Sequence, residues 1–214
     1  MLDKISYRLA TQDDREELRE LLAISFSRDE PFNSNWINNE PVPEDVAHTL
    51  HCLDEGTSYV AVDSSKNKIV GACMTCVDDT SSIKHLLDDA KKTKNKKFAQ
   101  YLQLYAKVDT NANIFERCSV DKIFHVSALA VDSGYRGLSI GKNLVEKSFE
   151  LGKSQGHKLS SINCSSFFTE KIAVKLNMEY VSEIAMADIK DDGGNRLTFP
   201  PPPHIHIRTY VKKL

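Results

Sequence analysis

"VDSGYRGLSIGKNLVEKSFELG", residues 131–152, leaves an apolar run, turns through two glycines around Arg136 and then takes up helical periodicity. "IFHVSALAV" before it and "LSSINCS" after it are strand-like, so Ile123 to Ser165 reads as a β-α-β crossover with parallel strands. A strand that feeds a helix through "GYRGLSIG" exposes the N–H groups of the first helical turn, which have no partner inside the helix. Together with the helix dipole they favour an anion. Gly137 and Gly141 leave room for a phosphate against the main chain, and Arg136 and Lys142 add positive charge at the same end. The stretch lacks the lysine-hydroxyl pair of a P-loop and the three glycines of a dinucleotide fingerprint, so a pyrophosphate cradle and a plain helix start with packing glycines both fit it.

On either side, strand and helix patterns alternate. Ile5 to Ala10 has strand character; Thr11 offers an N-cap with Asp14 three residues on, followed by Leu18, Leu21 and Leu22 at helical spacing. Pro43 to Leu53 predicts a second helix stopped by Gly56. "TSYVAVD" and "IVGACMTCV" predict an antiparallel hairpin, and Ile83 to Val108 is read as helical. Phe167 to Leu176 is helical; "YVSEIAMAD" and "HIHIRTYVKKL" are strands, separated by the glycine- and proline-rich "IKDDGGNRLTFPPPP". No repeat or linker divides the chain. The expectation is one α/β domain over residues 1–214, with a mixed sheet of about seven strands flanked by helices.

Composition narrows the function classes. With 28 basic and 30 acidic residues the net charge is -2, which implies no general attraction to nucleic acid or an anionic membrane. Five scattered cysteines, an opening "MLDKISYRLA" without a signal-peptide pattern and no membrane-length apolar run predict a soluble protein of a reducing compartment, the cytoplasm. No pattern encodes the oligomeric state, and a monomer is expected.

From His125 to Tyr180 the chain resembles the acetyl-coenzyme A site of the GCN5-related N-acetyltransferase family. That family has a strand, then R/Q-x-x-G-x-G/A opening a helix, then a strand and a second helix; here Arg136, Ser139 and Gly141 hold the motif positions, with Ser139 in place of the central glycine. "SRDEPFN" (27–33), "CSSFFTEKIAVKL" (164–176) and "FPPPPHIHIRTYVKKL" (199–214) resemble, more narrowly, the insect arylalkylamine N-acetyltransferases. The resemblance implies the fold of that superfamily and acetyl-coenzyme A as cofactor. It places the pantetheine arm and pyrophosphate at Leu129, Ala130, Val131, Arg136, Gly137, Leu138, Ser139, Ile140, Gly141, Lys142, Ser165 and Phe168. It also implies a small arylalkylamine acceptor of the dopamine, serotonin, octopamine or tryptamine class.

An alkylamine arrives protonated at neutral pH, with a pKa near that of lysine, about 10, and cannot attack a thioester until something takes its proton. By resemblance Glu30 is that general base; read without the family, it is a surface acid beside Asp29. Attack by the freed amine builds negative charge on oxygen, which backbone N–H groups near Leu129 and Val131 would meet where the neighbouring strand diverges. Ser165 and Thr169 match two hydroxyl positions assigned there to catalysis or to protonation of the departing thiolate. A strand-end serine capping the next helix is the other reading of Ser165. Phe168 stands where a tyrosine could have supplied that proton.

Other constellations carry less. Cys73 and Cys76 point to opposite faces of a strand and read as small buried hydrophobes; His204 and His206 share a strand face without a third ligand, so no metal is expected. "KKTKNKK" (91–97) is a solvated loop or a contact for the 3'-phosphate of coenzyme A. Phe32, Trp36, Tyr105 and Phe115 are candidates for an aromatic pocket, or core. Two alternatives to the arylalkylamine function stay open: an acetyltransferase of aliphatic amines, polyamines, agmatine or histamine, and a coenzyme A-binding regulatory module without turnover.

Overall fold

The computed structural model describes residues 4–27, 29–31, 42–190 and 194–214. Seven strands form one mixed sheet: β1 (Ile5–Leu9), β2 (Tyr59–Asp63), β3 (Lys68–Asp79), β4 (Lys122–Val131), β5 (Leu159–Cys164), β6 (Glu179–Ala185) and β7 (His206–Lys213), in the order β1-β2-β3-β4-β5-β7-β6. Every neighbouring pair is antiparallel except β4–β5, the parallel pair expected of the crossover. The helices are α1 (Arg15–Leu22), α2 (Pro43–Leu50), α3 (Ser82–Lys92), α4 (Lys96–Ala112), α5 (Ile114–Cys118), α6 (Ile140–Ser154) and α7 (Phe167–Lys175).

Local chemistry sets the boundaries. Thr11 and Asp14 cap the first helical segment, the Thr11 N–H donating to the Asp14 carboxylate at 2.8 Å, and Arg8 grips the same carboxylate at 2.7 Å through each of two nitrogens. The helix expected from Ile83 to Val108 is two helices, because Asn95 caps a fresh start by accepting from the Phe98 N–H at 3.2 Å. The short α5 has no strong periodicity and escaped the sequence reading. After α1 the chain widens into a π-helical turn, Ala23–Ser27, in which the Phe26 carbonyl accepts from the Glu30 N–H at 2.7 Å.

Alternation along the strands gives the sheet two buried faces. Val70, Cys73, Val126 and Ile162 pack under α6 with Ile140, Leu144, Val145 and Phe149. Ile69, Met74 and Ala128 pack with Leu18, Leu22, Val46 and Leu50 of α1 and α2. Val126 and Ala128 have the same parity yet lie on opposite faces. The register explains this: Thr75 faces Val126 and Met74 faces Ala128, so Ser127 is an extra residue in β4, a bulge. Pairing of β4 with β5 runs only from Phe124 to Val126. The bulge therefore sits where the two parallel strands part.

Among the described residues no helix is long and apolar enough to cross a membrane.

Candidate active site

The open edge of β4 lies beside the start of α6. The Asp132 N–H bonds the Val70 carbonyl on β3 at 2.9 Å, so by the two-residue alternation the N–H groups of Val131 and Leu129 face the other way, toward the missing partner. The Val131 carbonyl, on that same edge, accepts from Arg136 Nε at 3.3 Å. Ala130 is buried and faces the α1–α2 side, so of the three adjacent residues it is the one turned away.

The α6 cradle is built much as its sequence suggests. Gly137 takes a φ of +80°, and a side chain there would meet open space. Ser139 is the N-cap, in the left-handed region at φ 60°, and its hydroxyl makes no capping bond. Leu138 packs against the core and Ile140 is buried, which anchors the turn from both sides. Gly141 also serves packing, since a Cβ there would lie 3.2 Å from Ile172 and 3.5 Å from Leu129. Lys142 is held to Glu146 at 2.6 Å along the helix flank, and Arg136 pairs with Asp29 at 2.7 Å. One of the two motif cations is thus turned along its own helix, and the other is tied to the loop that carries Glu30.

A non-glycine residue in the left-handed region costs about 1–2 kcal/mol, part of which glycine loses again through its freer unfolded chain. Ser139→Gly should therefore raise Tm by about 1–4 °C and leave coenzyme A affinity within a few-fold. A clear loss of affinity would mean the hydroxyl bonds the ligand, and a lower Tm that it stabilises the turn itself.

Glu30 is buried, with its N–H on the Phe26 carbonyl at 2.7 Å, so the surface-acid reading fails. Burial, reinforced by the charges of Glu30 and Asp45, pushes the hydroxyls of Tyr101 and Tyr105 well up. Both rings come from α4 and lie 4.7 Å apart. Tyr105 lies near Ser165, which is also buried. The N-cap of α7 is Ser166, whose hydroxyl accepts from the Phe168 N–H at 3.2 Å; Ser165 is released from the capping role the sequence left open. Thr169 is half-buried one turn into α7, while Phe168 is 65% exposed, its ring 5.7 Å from His204, at the rim. Phe32 and Trp36 lie outside the described residues, and Phe115 packs into a core cluster away from the site.

From Tyr105 a cavity of about 270 Å³ runs toward β3, lined among others by Ser127, His125, Asn163, Asp109 and Asp78. Asn163 donates to Asp109 at 2.8 Å and accepts from the Thr209 hydroxyl at 2.8 Å. Burial pushes Asp109 up to about 6, with Asp78 adding to the shift and His125 and Asn163 opposing it. None of these residues stood out in the sequence. The one available signal was Tyr101, Tyr105 and Asp109 at four-residue spacing, which puts them on one side of the amphipathic α4.

Because the folded state raises the pKa of Asp109, its contribution to stability is complete below the ordinary carboxylate range near 3.8 and is lost as pH rises through about 6. Asp109→Asn keeps the bond from Asn163 and removes the charge. The variant should gain on wild type between pH 4 and 6 and hold the gain above. Water in the cavity discounts the magnitude to about 1–2 kcal/mol, readable in urea midpoints taken across that range.

The remaining candidates find structural partners. Cys73 faces the α6 side, where burial pushes its thiol to about 12, and Cys76 faces Cys52 on the other. His204 Nδ1 accepts the Phe167 N–H at 3.2 Å, and His206 lies 3.7 Å from Glu183. In "KKTKNKK", Lys91 and Lys92 pair with Asp88 and Asp89, but Lys97 turns inward toward Asp45 and Glu30.

The profile of the acetyltransferase (GNAT) family matches residues 15–167. The crystal structure of mosquito arylalkylamine N-acetyltransferase like 5b superposes with a TM-score of 0.93 at 32% identity, covering 98% of this chain and 100% of that one. A Drosophila melanogaster polyamine N-acetyltransferase, described as forming N-acetylagmatine, superposes at 0.90 with 28% identity over 98% and 100%. An unpaired β4 edge, a left-handed turn with Arg136 at a helix start and a buried acid beside Tyr101 and Tyr105 suit a thioester donor with a pyrophosphate, and the chain belongs to the acetyltransferase (GNAT) family, whose enzymes take their acetyl group from acetyl-coenzyme A.

Proposed function

We propose that this chain acetylates the primary amine of a small arylalkylamine by direct transfer, with Glu30 as general base. The observation that carries the proposal is the burial of Glu30 beside Tyr101 and Tyr105, whose side chains line the cavity. Acetyl-coenzyme A supplies an electrophilic acetyl thioester. Arg136 and the N–H groups from Gly137 to Lys142 hold its pyrophosphate, and the β4 edge from Leu129 to Val131 takes the pantetheine arm. Glu30 attracts the ammonium and accepts its proton; the N–H groups of Leu129 and Val131 meet negative charge developing on oxygen. Ser165, backed by Tyr105, returns a proton to the departing sulfur, with Thr169 as the second hydroxyl. The Tyr101 and Tyr105 rings offer an aromatic acceptor a surface, and the resemblance to arylalkylamine acetyltransferases supports that class.

A second reading, an acceptor with two cationic ends such as agmatine or a polyamine, is favoured by the carboxylates Glu55, Asp78, Asp89 and Asp109 in the cavity wall. A panel of amines assayed by thiol release separates the two. Turnover of tyramine, dopamine or tryptamine above that of aliphatic amines supports the first; the reverse order supports the second. Tight coenzyme A binding without turnover of any amine would leave a regulatory module.

A further inference from the structure

Two side-chain pairs face each other between α4 and the C-terminal end of β5, and Tyr105, Asp109 and Asn163 line the cavity. Tyr105 lies near Ser165, the residue after the strand, and Asp109 takes the Asn163 amide at 2.8 Å one helical turn further on. Both elements set the same spacing between pairs: four residues of helix rise about 6 Å and two residues of strand about 6–7 Å. The second pair is rigid, since Asn163 is itself fixed by the Thr209 hydroxyl at 2.8 Å. With Asn163 occupying one oxygen of Asp109, the carboxylate keeps acceptor capacity on the other. Asp78 stands on the same side, 4.0 Å from His125 Nδ1, while His125 Nδ1 shares a 2.8 Å bond with Ser161. None of the described lining residues is lysine or arginine, so no permanent cation neutralises this wall.

A monoamine brings one positive charge, which the Glu30 end uses, and leaves the second pair facing an uncharged tail. We infer that Asp109 is a specificity-determining residue for the acetyltransferase reaction, selecting acceptors that carry a second ammonium or guanidinium about 6–7 Å from the reacting nitrogen. The inference rests on the amine-acetylating function proposed above and takes up its second reading, the acceptor with two cationic ends, in place of the arylalkylamine. Asp109 binds the far end and takes no part in proton transfer.

The test compares 1,4-diaminobutane with n-butylamine, which differs by one terminal amino group, in the wild type, in Asp109→Asn and in Asp78→Asn. A hydrogen-bonded charge pair supports a tenfold to hundredfold preference. In the wild type kcat/KM should favour the diamine by at least tenfold, mainly through KM, and the preference should shrink with added salt. In Asp109→Asn the ratio should collapse by tenfold or more, and Asp78→Asn should lower it less. Because n-butylamine is measured on the same preparation, loss of folding lowers both rates and leaves the ratio as the readout. A wild-type ratio near one, or a ratio unchanged in Asp109→Asn, would overturn the inference. Absence of thiol release with any amine would overturn the function instead, and calorimetric binding of 1,4-diaminobutane to wild type and Asp109→Asn would then decide the subsite by itself.

Discussion

Turnover of Glu30→Gln at saturating amine should fall by about a hundredfold to ten-thousandfold, the range that general bases supply. Glutamine keeps the size and the hydrogen-bonding oxygen of glutamate and loses its basicity, so coenzyme A binding should be unchanged. Glu30 is buried beside Tyr101, Tyr105 and Lys97, whose ionisations all feel its charge, and Tyr101 and Tyr105 line the cavity. The defect should depend on the acceptor. An amine already neutral at the assay pH needs no base before it attacks and gives up its proton only as the amide forms, so the defect should shrink as acceptor basicity decreases. A loss of equal size for weakly and strongly basic amines would assign Glu30 to binding or structure, and near-wild-type turnover would send the search for the base elsewhere.

Arg136→Ala should weaken acetyl-coenzyme A binding about tenfold or more, the equivalent of one charged hydrogen bond, with little change in relative rates among amines. The structure adds a reason for the size of the effect. Arg136 is half-exposed and paired with Asp29, and such a pair contributes at most about 1 kcal/mol, so a pyrophosphate can displace the carboxylate readily. Removing Arg136 leaves Asp29 at the cradle without its cation, which repels the anion further. Arg136→Lys should recover only part of the affinity, because an ammonium lacks the guanidinium's paired donors. Thermal stability should hardly move in either variant. Calorimetric dissociation constants check this, and an unchanged value for Arg136→Ala would remove Arg136 from the cofactor site.

What the sequence by itself determined is local. The strand, the turn around Arg136 and Gly137 and the amphipathic helix after it follow from hydrophobic period and from the backbone freedom of glycine, properties of neighbours in the chain. The capping of α1 by Thr11 and Asp14 and the β2–β3 hairpin were legible for the same reason. Only the tertiary structure decided which residues meet. The Ser127 bulge cannot be read from "HVSALAV", because it is a register between β3 and β4, and the parting of β4 from β5 is a property of the pair. Whether Ser165 or Ser166 caps α7 turned on where β5 ends in space, and the cap at Ser166 frees Ser165 for Tyr105. Glu30 looked like any acid in a polar stretch; it is buried beside Tyr101 and Tyr105 of α4, residues more than 70 positions away in the chain. Asp109 joined the site because α4 lies across β5, bringing together residues 54 apart in sequence, a contact that neither segment's periodicity specifies.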